Sequence, residues 1–232
     1  MKTYVIADIH GRVHAFKEVM ARAKFDYAND RLINLGDTCD GGRFTKQCID
    51  ELLKITHRVD VQGNHCQWVL NWFLTGIELP VWVNQGGYAT MESYDFDRKN
   101  VPESHVTLLK NAIPYYVDEK NRIYVHGGFN PKVPIENQNP EFIMWDRTLI
   151  KFAQKRTVPQ YDHVFVGHTT TQLIKRNATT PLTFNNLTMC DCGGGWNGRL
   201  AMINVDDLDE FYVSETQTPS KYEWHSFIPE EG

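Results

Sequence analysis

Apolar residues in the first third of the chain alternate between short continuous runs and stretches with helical spacing. The continuous, β-branched runs are typical of buried strands, which we expect at residues 3–7, 31–35 and 58–61. Apolar positions that recur every three or four residues predict helices between these strands, at residues 13–24, 44–55 and 67–74. Strands that alternate with helices in this way predict βαβ units and a parallel sheet.

The second half of the chain is richer in strand patterns. A hairpin is expected from strands 115–117 and 122–125, because the polar residues 118–121 separate them. Further strands are expected at residues 163–166, 171–174, 187–189, 200–205 and 210–213, and helices at residues 104–112 and 141–155. The whole pattern predicts an α/β (α+β) fold in which two sheets pack face to face between helices.

Residues 76–103 are rich in aromatic side chains and follow neither period. We weigh a cap or substrate-facing insert equally against a loop that packs its own aromatic residues. We expect residues 1–214 to form a single domain around this segment. Residues 215–232 should be a loosely held tail, because such polar, proline-containing ends are seldom tied down.

Short polar motifs follow five of the predicted strands, at the point where each strand ends. They read Asp8-Ile9-His10, Gly36-Asp37, Gly63-Asn64-His65, His126-Gly127 and Gly167-His168. Functional side chains of open α/β sheets gather beyond the carboxyl ends of the strands. Asp, Asn and His are ligands for divalent metals of hard to borderline character. Together the motifs predict a two-metal hydrolytic site.

Spacing indicates tasks for individual residues within the motifs. Asp8 and His10 lie two positions apart in an extended segment, so their side chains face one way and can hold one ion together. Asp37 has two carboxylate oxygens and can bridge two ions. His65 can donate a proton to a leaving group, with Asp40 as the candidate partner that fixes its tautomer. Alone, Asp8-x-His10 fits a strand-end cap as well as it fits a metal site, and a satisfied surface histidine would be the better interpretation of His65. Asp37 lies too far upstream to cap the helix near Phe44.

The composition of the chain mainly excludes classes of function. The chain has 232 residues, a mass of 26.9 kDa and a formal net charge of −5, which gives no footprint for binding nucleic acid. We expect no signal peptide and no membrane span, because no apolar stretch is long enough. The five cysteines form no Cys-x-x-Cys pair, which favours reduced thiols and a cytoplasmic location. Cys190 and Cys192 should face opposite sides of one strand.

The order Asp-x-His, Gly-Asp-x-x-Asp, Gly-Asn-His, His and Gly-His resembles the signature of the calcineurin-like metallophosphoesterases, from Asp8 to about Gly193. Within that superfamily the chain is most similar to the small bacterial and phage serine/threonine protein phosphatases, with the diadenosine tetraphosphatases next. The features that favour this branch are Gly11, Thr170 in place of a second metal-binding histidine, Trp145-Asp146-Arg147, and Asp191-Cys192-Gly193.

The resemblance implies a four-layer α-β-β-α sandwich that holds two divalent ions. We expect Mn²⁺, with Fe or Zn²⁺ as alternatives, because the ligands mix Asp, Asn and His. The resemblance assigns one ion to Asp8, His10 and Asp37, and the other to Asp37, Asn64, His126 and His168. A water that bridges the ions would attack phosphorus in line.

The remaining roles also come from the resemblance. His65, oriented by Asp40, would protonate the leaving oxygen. Arg147 would hold the phosphoryl group during catalysis, with Asn64 beside it. The expected substrate is a phosphorylated protein or a small phosphate ester, and the oligomeric state is left open.

The chain departs from the family pattern at the residues that usually accompany these motifs. Gly41 and Gln62 occupy positions where the family has phosphate-binding arginines, and Cys66 replaces a glutamate. A guanidinium makes bidentate bonds to phosphate, so the loss of two should weaken monoester binding more than diester binding. Either Arg43 replaces a missing arginine, or the substrate is a diester or nucleotide, or activity is low. Cys66 is either a soft contact near the ions or a buried structural residue.

Three hypotheses follow from these observations. The leading one is a dinuclear-metal phosphoesterase, most like a serine/threonine protein phosphatase. The second is a phosphodiesterase or dinucleoside polyphosphate hydrolase, which the departures at Gly41 and Gln62 favour. The third is a metal-binding module with little activity, against which His65 and Asp40 argue.

Overall fold

A computed structural model describes residues 1–196 and 198–215, and these residues form two five-stranded sheets. The strands are β1 (Thr3–Ile6), β2 (Arg31–Asn34), β3 (His57–Asp60), β4 (Tyr115–Val117), β5 (Arg122–Val125), β6 (His163–Val166), β7 (Leu182–Phe184), β8 (Leu187–Met189), β9 (Ala201–Asn204) and β10 (Phe211–Val213). The first sheet has the order β10-β9-β1-β2-β3, and the second has the order β4-β5-β6-β8-β7.

Each sheet contains three parallel strands, which lie at one end of the first sheet and at the centre of the second. β1, β2 and β3 pair in parallel, with Thr3 opposite Arg31 and Arg31 opposite His57. β5, β6 and β8 pair in parallel in the second sheet. Parallel strands end at the same edge, so the loops that follow β1, β2 and β3 lie side by side.

The helices are α1 (Val13–Arg22), α2 (Thr45–Leu52), α3 (Asn64–Thr75), α4 (Pro80–Trp82), α5 (Tyr88–Ser93), α6 (Glu103–Lys110), α7 (Pro140–Trp145) and α8 (Thr148–Ala153). Those of the first half cover the first sheet, whereas α7 and α8 cover the second. Within the described residues, none of these helices is both long and apolar enough to cross a membrane.

The alternating direction of side chains along the central strands explains the order of the layers. Tyr4 and Ile6 of β1 face the helices of the first half, whereas Val5 between them faces the second sheet. Successive side chains of a strand point to opposite faces, so a continuous apolar run fills both. Tyr124 and Phe165 face the first sheet from the other side, with stacked rings 4.9 Å apart. The predicted α-β-β-α order of layers is therefore confirmed.

Residues 76–103, which the pattern left irregular, are largely helical. They contain α4, a π-helical turn at Val83–Gly87, α5 and a 3₁₀ turn at Arg98–Asn100. Trp82 and Tyr94 are buried in the same cluster as Trp72 of α3. The segment thus packs on the first core. Of the predicted tail, residues 216–232 lie outside the described residues.

Several predicted elements differ from the structure. The predicted strand at residues 171–174 is wrong, because Thr171–Leu173 is a 3₁₀ turn whose first N–H donates to the carbonyl of Asp191. The predicted helix at residues 141–155 is two helices, α7 and α8. Asp146 separates them, since its carboxylate accepts the N–H groups of Thr148 and Leu149 and so begins α8.

Two more differences concern strand ends. β7 is absent from the sequence-based expectation, because three residues carry too little pattern to be recognised. Cys190 and Cys192 do not share a strand, since β8 ends at Met189. Both thiols are buried and free.

Candidate metal centre

Two neighbouring loops of the first sheet bring three predicted ligands together. Asp8 and His10 follow β1, and Asp37 follows β2, which is parallel to β1. One ligand atom from each residue lies within 4.8 Å of the others. The loops are joined through their backbones, because the His10 N–H donates to the Asp37 carbonyl at 2.9 Å.

A second group of ligands shares Asp37 with the first. Its other members are His126, which follows β5, and His168, which follows β6, and their ligand atoms also lie within 4.8 Å of one another. Asn64 belongs to this group, since its Oδ1 is 2.9 Å from His126 Nε2. Asp37 therefore lies where the strand ends of both sheets meet.

The His126 ring shows why a cation suits this position. Its Nδ1 lies 2.7 Å from the carbonyl oxygen of Leu35, which only accepts, so Nδ1 carries a hydrogen. Its Nε2 then faces two oxygens, Asp37 Oδ2 at 3.2 Å and Asn64 Oδ1 at 2.9 Å. A proton on Nε2 or a metal ion would supply the positive charge that these three acceptor atoms favour.

His10 and His168 present further nitrogen atoms. His10 Nδ1 donates to the carbonyl of Cys39 at 3.0 Å, and its Nε2 lies 3.8 Å from Asp8 Oδ1. His168 Nε2 is buried and has no hydrogen-bond partner in the described part of the chain. A buried polar atom without a partner is costly, which suits a nitrogen that binds a metal. The residues present thus fit two divalent ions that share Asp37.

Burial shifts the ionisation of the ligands. It lowers the pKa of both His10 and His168 to about 3, so these rings are neutral and keep a free lone pair. Burial raises the pKa of Asp8. Although burial lowers the pKa of His126, the Asp37 carboxylate outweighs it and raises this pKa to about 10. The raised pKa of His126 reflects the negative charge of Asp37, which a metal cation at this position would neutralise.

The ligand loops have a strained backbone. The φ angle is 53° at Asp8, 48° at His10, 47° at Asp37, 69° at Asp40 and 61° at His168. Such conformations cost about 1–3 kcal/mol each and persist only where the surroundings enforce them, although Asp and His tolerate them better than most residues. Five such residues in the loops that hold the candidate ligands favour these loops as the functional part of the fold.

The glycine before Asn64 allows two loops to approach closely. A Cβ at Gly63 would overlap the Asp37 carboxylate. Asp37 Oδ1 accepts the backbone N–H of His65 at 2.9 Å, at the beginning of α3. The carboxylate therefore caps α3, where the positive end of the helix dipole favours its ionised form.

The predicted pair of His65 and Asp40 lies beside the ligands. His65 Nδ1 donates to Asp40 Oδ2 at 2.8 Å, and the His65 ring contacts that of His10 at a centroid distance of 5.0 Å. Burial lowers the pKa of His65, but the carboxylates of Asp37 and Asp40 outweigh it and raise this pKa overall. The pair can hold a proton next to the metal ligands.

Asp40 has two further donors that sequence reasoning missed. Trp82 Nε1 lies 2.9 Å from Asp40 Oδ2, and Thr90 Oγ1 lies 2.7 Å from Oδ1. Both residues belong to the segment 76–103, whose aromatic content was the available signal. Burial raises the pKa of Asp40, and the hydrogen bonds from His65, Thr90 and Trp82 oppose that effect.

The predicted phosphate-binding arginines differ in position. Arg147 Nη1 lies 3.4 Å from Thr169 Oγ1, next to His168, and its charge lowers the pKa of that histidine further. Arg43 Nε lies 3.3 Å from Glu92 Oε2, and its side chain is half exposed. The structure therefore brings Arg147 to the centre and pairs Arg43 with the segment 76–103.

Gly41 and Cys66, two of the positions that depart from the family pattern, each have contacts that constrain the residue there. Gly41 has a φ of 75° and donates its N–H to the Gly86 carbonyl at 3.2 Å, so a larger residue would strain this loop. Cys66 is buried, and its Sγ lies 3.6 Å from that of Cys39. Cys66 thus packs against a second thiol.

Comparisons with known proteins agree with this geometry. A family model described as calcineurin-like phosphoesterase matches residues 1–172. Serine/threonine-protein phosphatase 1 of Salmonella typhimurium is 22% identical over 213 residues, covering 87% of this chain and 91% of that protein.

Two solved structures have a similar fold. One is a proposed diadenosine tetraphosphatase, with a TM-score of 0.70, 15% identity and coverage of 94% of both chains. The other is a cold-active protein-tyrosine phosphatase of a psychrophilic Shewanella species, with a TM-score of 0.61 and 14% identity over 92% of this chain and 80% of that one.

Removing the shared carboxylate should affect both metal sites. We expect calorimetric titration with Mn²⁺ to show two ions for the wild type. Asp37→Asn should weaken both by more than about 100-fold, because even outer-shell changes cost about 10- to 100-fold. His10→Ala should weaken one ion and His168→Ala the other. Asp209→Asn, at an exposed carboxylate, is the control, and two unaltered ions in Asp37→Asn would contradict the shared site.

Removing a donor from Asp40 should destabilise the fold. Trp82→Phe keeps an aromatic ring but leaves a buried carboxylate one hydrogen bond short, which costs about 1–3 kcal/mol beyond the loss of packing. Trp72 is a second buried tryptophan, and its ring lies 5.8 Å from that of Trp82. Urea denaturation of Trp82→Phe and Trp72→Phe therefore separates the loss of the hydrogen bond from the loss of packing. Equal losses in the two variants would show that the hydrogen bond contributes nothing.

Proposed function

Because the chain belongs to the calcineurin-like phosphoesterase family, whose members are hydrolases, we propose that it hydrolyses phosphate monoesters with two bound divalent ions. Its mechanism would be most like that of the serine/threonine protein phosphatases. The observation that carries the proposal is the pair of ligand groups that share Asp37, with His65 and Asp40 beside them. We propose Mn²⁺ as the metal, since the ligands are carboxylate, amide and imidazole.

The two ions, when bound, would neutralise the phosphoryl oxygens and lower the pKa of a coordinated water. The residues of the chain supply the rest. Asp40 holds the Nδ1–H of His65, so Nε2 is the atom that delivers a proton to the leaving oxygen. Arg147 provides a guanidinium that binds the phosphoryl group, with Asn64 beside it.

One specific observation favours a second candidate. Gly41 and Gln62 stand where the family has arginines, and Arg43 is engaged by Glu92. A site with one guanidinium discriminates less strongly in favour of a dianionic monoester. A diester or a dinucleoside polyphosphate is therefore the alternative substrate. By name, the similar proteins include serine/threonine phosphatases, a tyrosine phosphatase and a diadenosine tetraphosphatase. Their names therefore do not distinguish the two candidate substrate classes.

The environment of the cysteines supports a proposed cytoplasmic location. All five thiols are buried and free, which suits a reducing compartment. A purely metal-binding module is disfavoured, because it would have no need of a buried carboxylate that orients His65.

A substrate panel tests the proposed reaction. With Mn²⁺, we expect hydrolysis of para-nitrophenyl phosphate and of a phosphopeptide, and loss of both activities when a chelator removes the metal. Preparations of Asp37→Asn made in parallel exclude a contaminating phosphatase. A higher kcat/KM for bis(para-nitrophenyl) phosphate or for a dinucleoside polyphosphate would favour the second candidate. No turnover of any ester at full metal loading would contradict both.

The role of His65 has a distinct kinetic signature. His65→Ala should lower kcat by about 10²- to 10⁴-fold for phenyl phosphate, whose leaving oxygen needs a proton. The loss should be much smaller for para-nitrophenyl phosphate, whose leaving group is stable as an anion. Asp40→Asn should also lower kcat more for phenyl phosphate than for para-nitrophenyl phosphate, but by smaller factors than His65→Ala. If turnover of phenyl phosphate is unchanged while metal content is normal, His65 is not the proton donor.

A further inference from the structure

A cavity of about 360 Å³ opens directly beside the candidate metal centre. It is lined by residues of α3 and α7, namely Asn64, Gln67, Trp68, Glu141, Met144 and Trp145. Asn64 belongs to both the cavity and the ligand group. A group bound in this cavity would therefore be continuous with a substrate at the metal centre.

Two tryptophans form the wall of this cavity. The rings of Trp68 and Trp145 meet at a centroid distance of 5.5 Å and an interplanar angle of 62°. Trp68 also contacts the ring of His65 at 5.1 Å, and Trp145 contacts that of His168 at 5.5 Å. The two indoles thus line the side of the centre between the proposed proton donor and a metal-ligand candidate.

The exposure of Trp145 needs a reason. This residue is 41% exposed although it lies next to buried polar candidate ligands. Large apolar surface left open beside a polar site commonly marks a place where a ligand binds. An aromatic ring binds well between two indoles, because edge-to-face contacts add binding energy beyond that from the buried area.

Charge narrows the choice of occupant. Of the described residues that line the cavity, Glu141 alone has a formal charge, and it is negative and exposed. A carboxylate at this position disfavours a leaving group that has phosphates of its own. The proposed phosphoryl-binding residue Arg147 is not among the residues that line the cavity, so the phosphoryl group would bind outside it.

We propose that this cavity binds an uncharged aromatic leaving group, so that the preferred substrates are aryl phosphates such as phosphotyrosyl side chains. The inference rests on the proposed function, since His65 must face the leaving oxygen for the cavity to hold the group attached to it. It narrows the substrate from phosphate monoesters in general to those with a ring on the leaving oxygen. Trp68 and Trp145 determine that specificity.

Kinetics of matched variants test the assignment. Trp68→Leu should raise KM for phenyl phosphate about five- to tenfold with little change in kcat, because the ring loses a contact made equally in substrate and transition state. KM for glycerol 2-phosphate should change less than about twofold. Trp68→Phe should restore most of the aryl preference. Phe142→Leu, at an exposed aromatic residue of α7 outside the cavity lining, is the control.

Binding measurements separate this inference from the proposed function. Calorimetry with Mn²⁺-loaded protein should show that phenylphosphonate, which is not hydrolysed, binds more tightly than methylphosphonate. Trp68→Leu should reduce that difference. Equal binding of the two phosphonates in a protein that hydrolyses monoesters overturns the cavity assignment alone. Absence of both binding and hydrolysis overturns the proposed function and the cavity with it.

A last comparison distinguishes the two sources of an aromatic ring. The wild type should have a higher kcat/KM for a phosphotyrosine peptide than for a dinucleoside tetraphosphate. Glu141→Gln should raise the ratio of kcat/KM for the dinucleoside tetraphosphate to kcat/KM for the peptide several-fold. A wild type that prefers the dinucleoside tetraphosphate would show that the cavity binds a nucleobase, and the uncharged leaving group would then be wrong.

Discussion

The crowding of acceptor atoms around Asp37 is the constraint on which the rest of the structure depends. One oxygen of this carboxylate caps α3, and the other lies 3.2 Å from His126 Nε2. Asp8, His10 and His168 complete the two groups around it. Such a cluster favours a positive charge at its centre, and it forms only because the fold brings strand ends of both sheets to one place.

The backbone shows what this convergence requires. Site residues adopt positive φ angles that the surrounding hydrogen bonds enforce, and glycines precede the ligands where the loops touch. A Cβ at Gly167 would overlap the Asp8 carboxylate, as one at Gly63 would overlap that of Asp37. The motifs contain glycine because the ligand of one strand end occupies the space beside the backbone of the next.

The centre has two sides with different origins. The candidate metal ligands come from strand ends, which every parallel sheet provides. The proposed proton donor depends instead on a helical segment, because Trp82 and Thr90 hold Asp40, and Asp40 holds His65. On the side where we propose that the leaving group binds, the indoles of Trp68 and Trp145 would provide apolar contacts, and Arg147 would bind the phosphoryl group.

The sequence by itself determined the central strands, the layer order and the residues at the strand ends, because these follow from local periodicity and from short motifs next to each strand. It did not determine the short elements whose form depends on distant partners. Residues 171–174 have the composition of a strand but form a turn, since the backbone of Thr171 bonds to Asp191. Trp82 reaches Asp40 across 42 residues of chain, and Trp68 meets Trp145 only because α3 and α7 pack together. Only the tertiary structure decided those contacts, because they depend on how separate elements pack and not on the residues next to them in the chain.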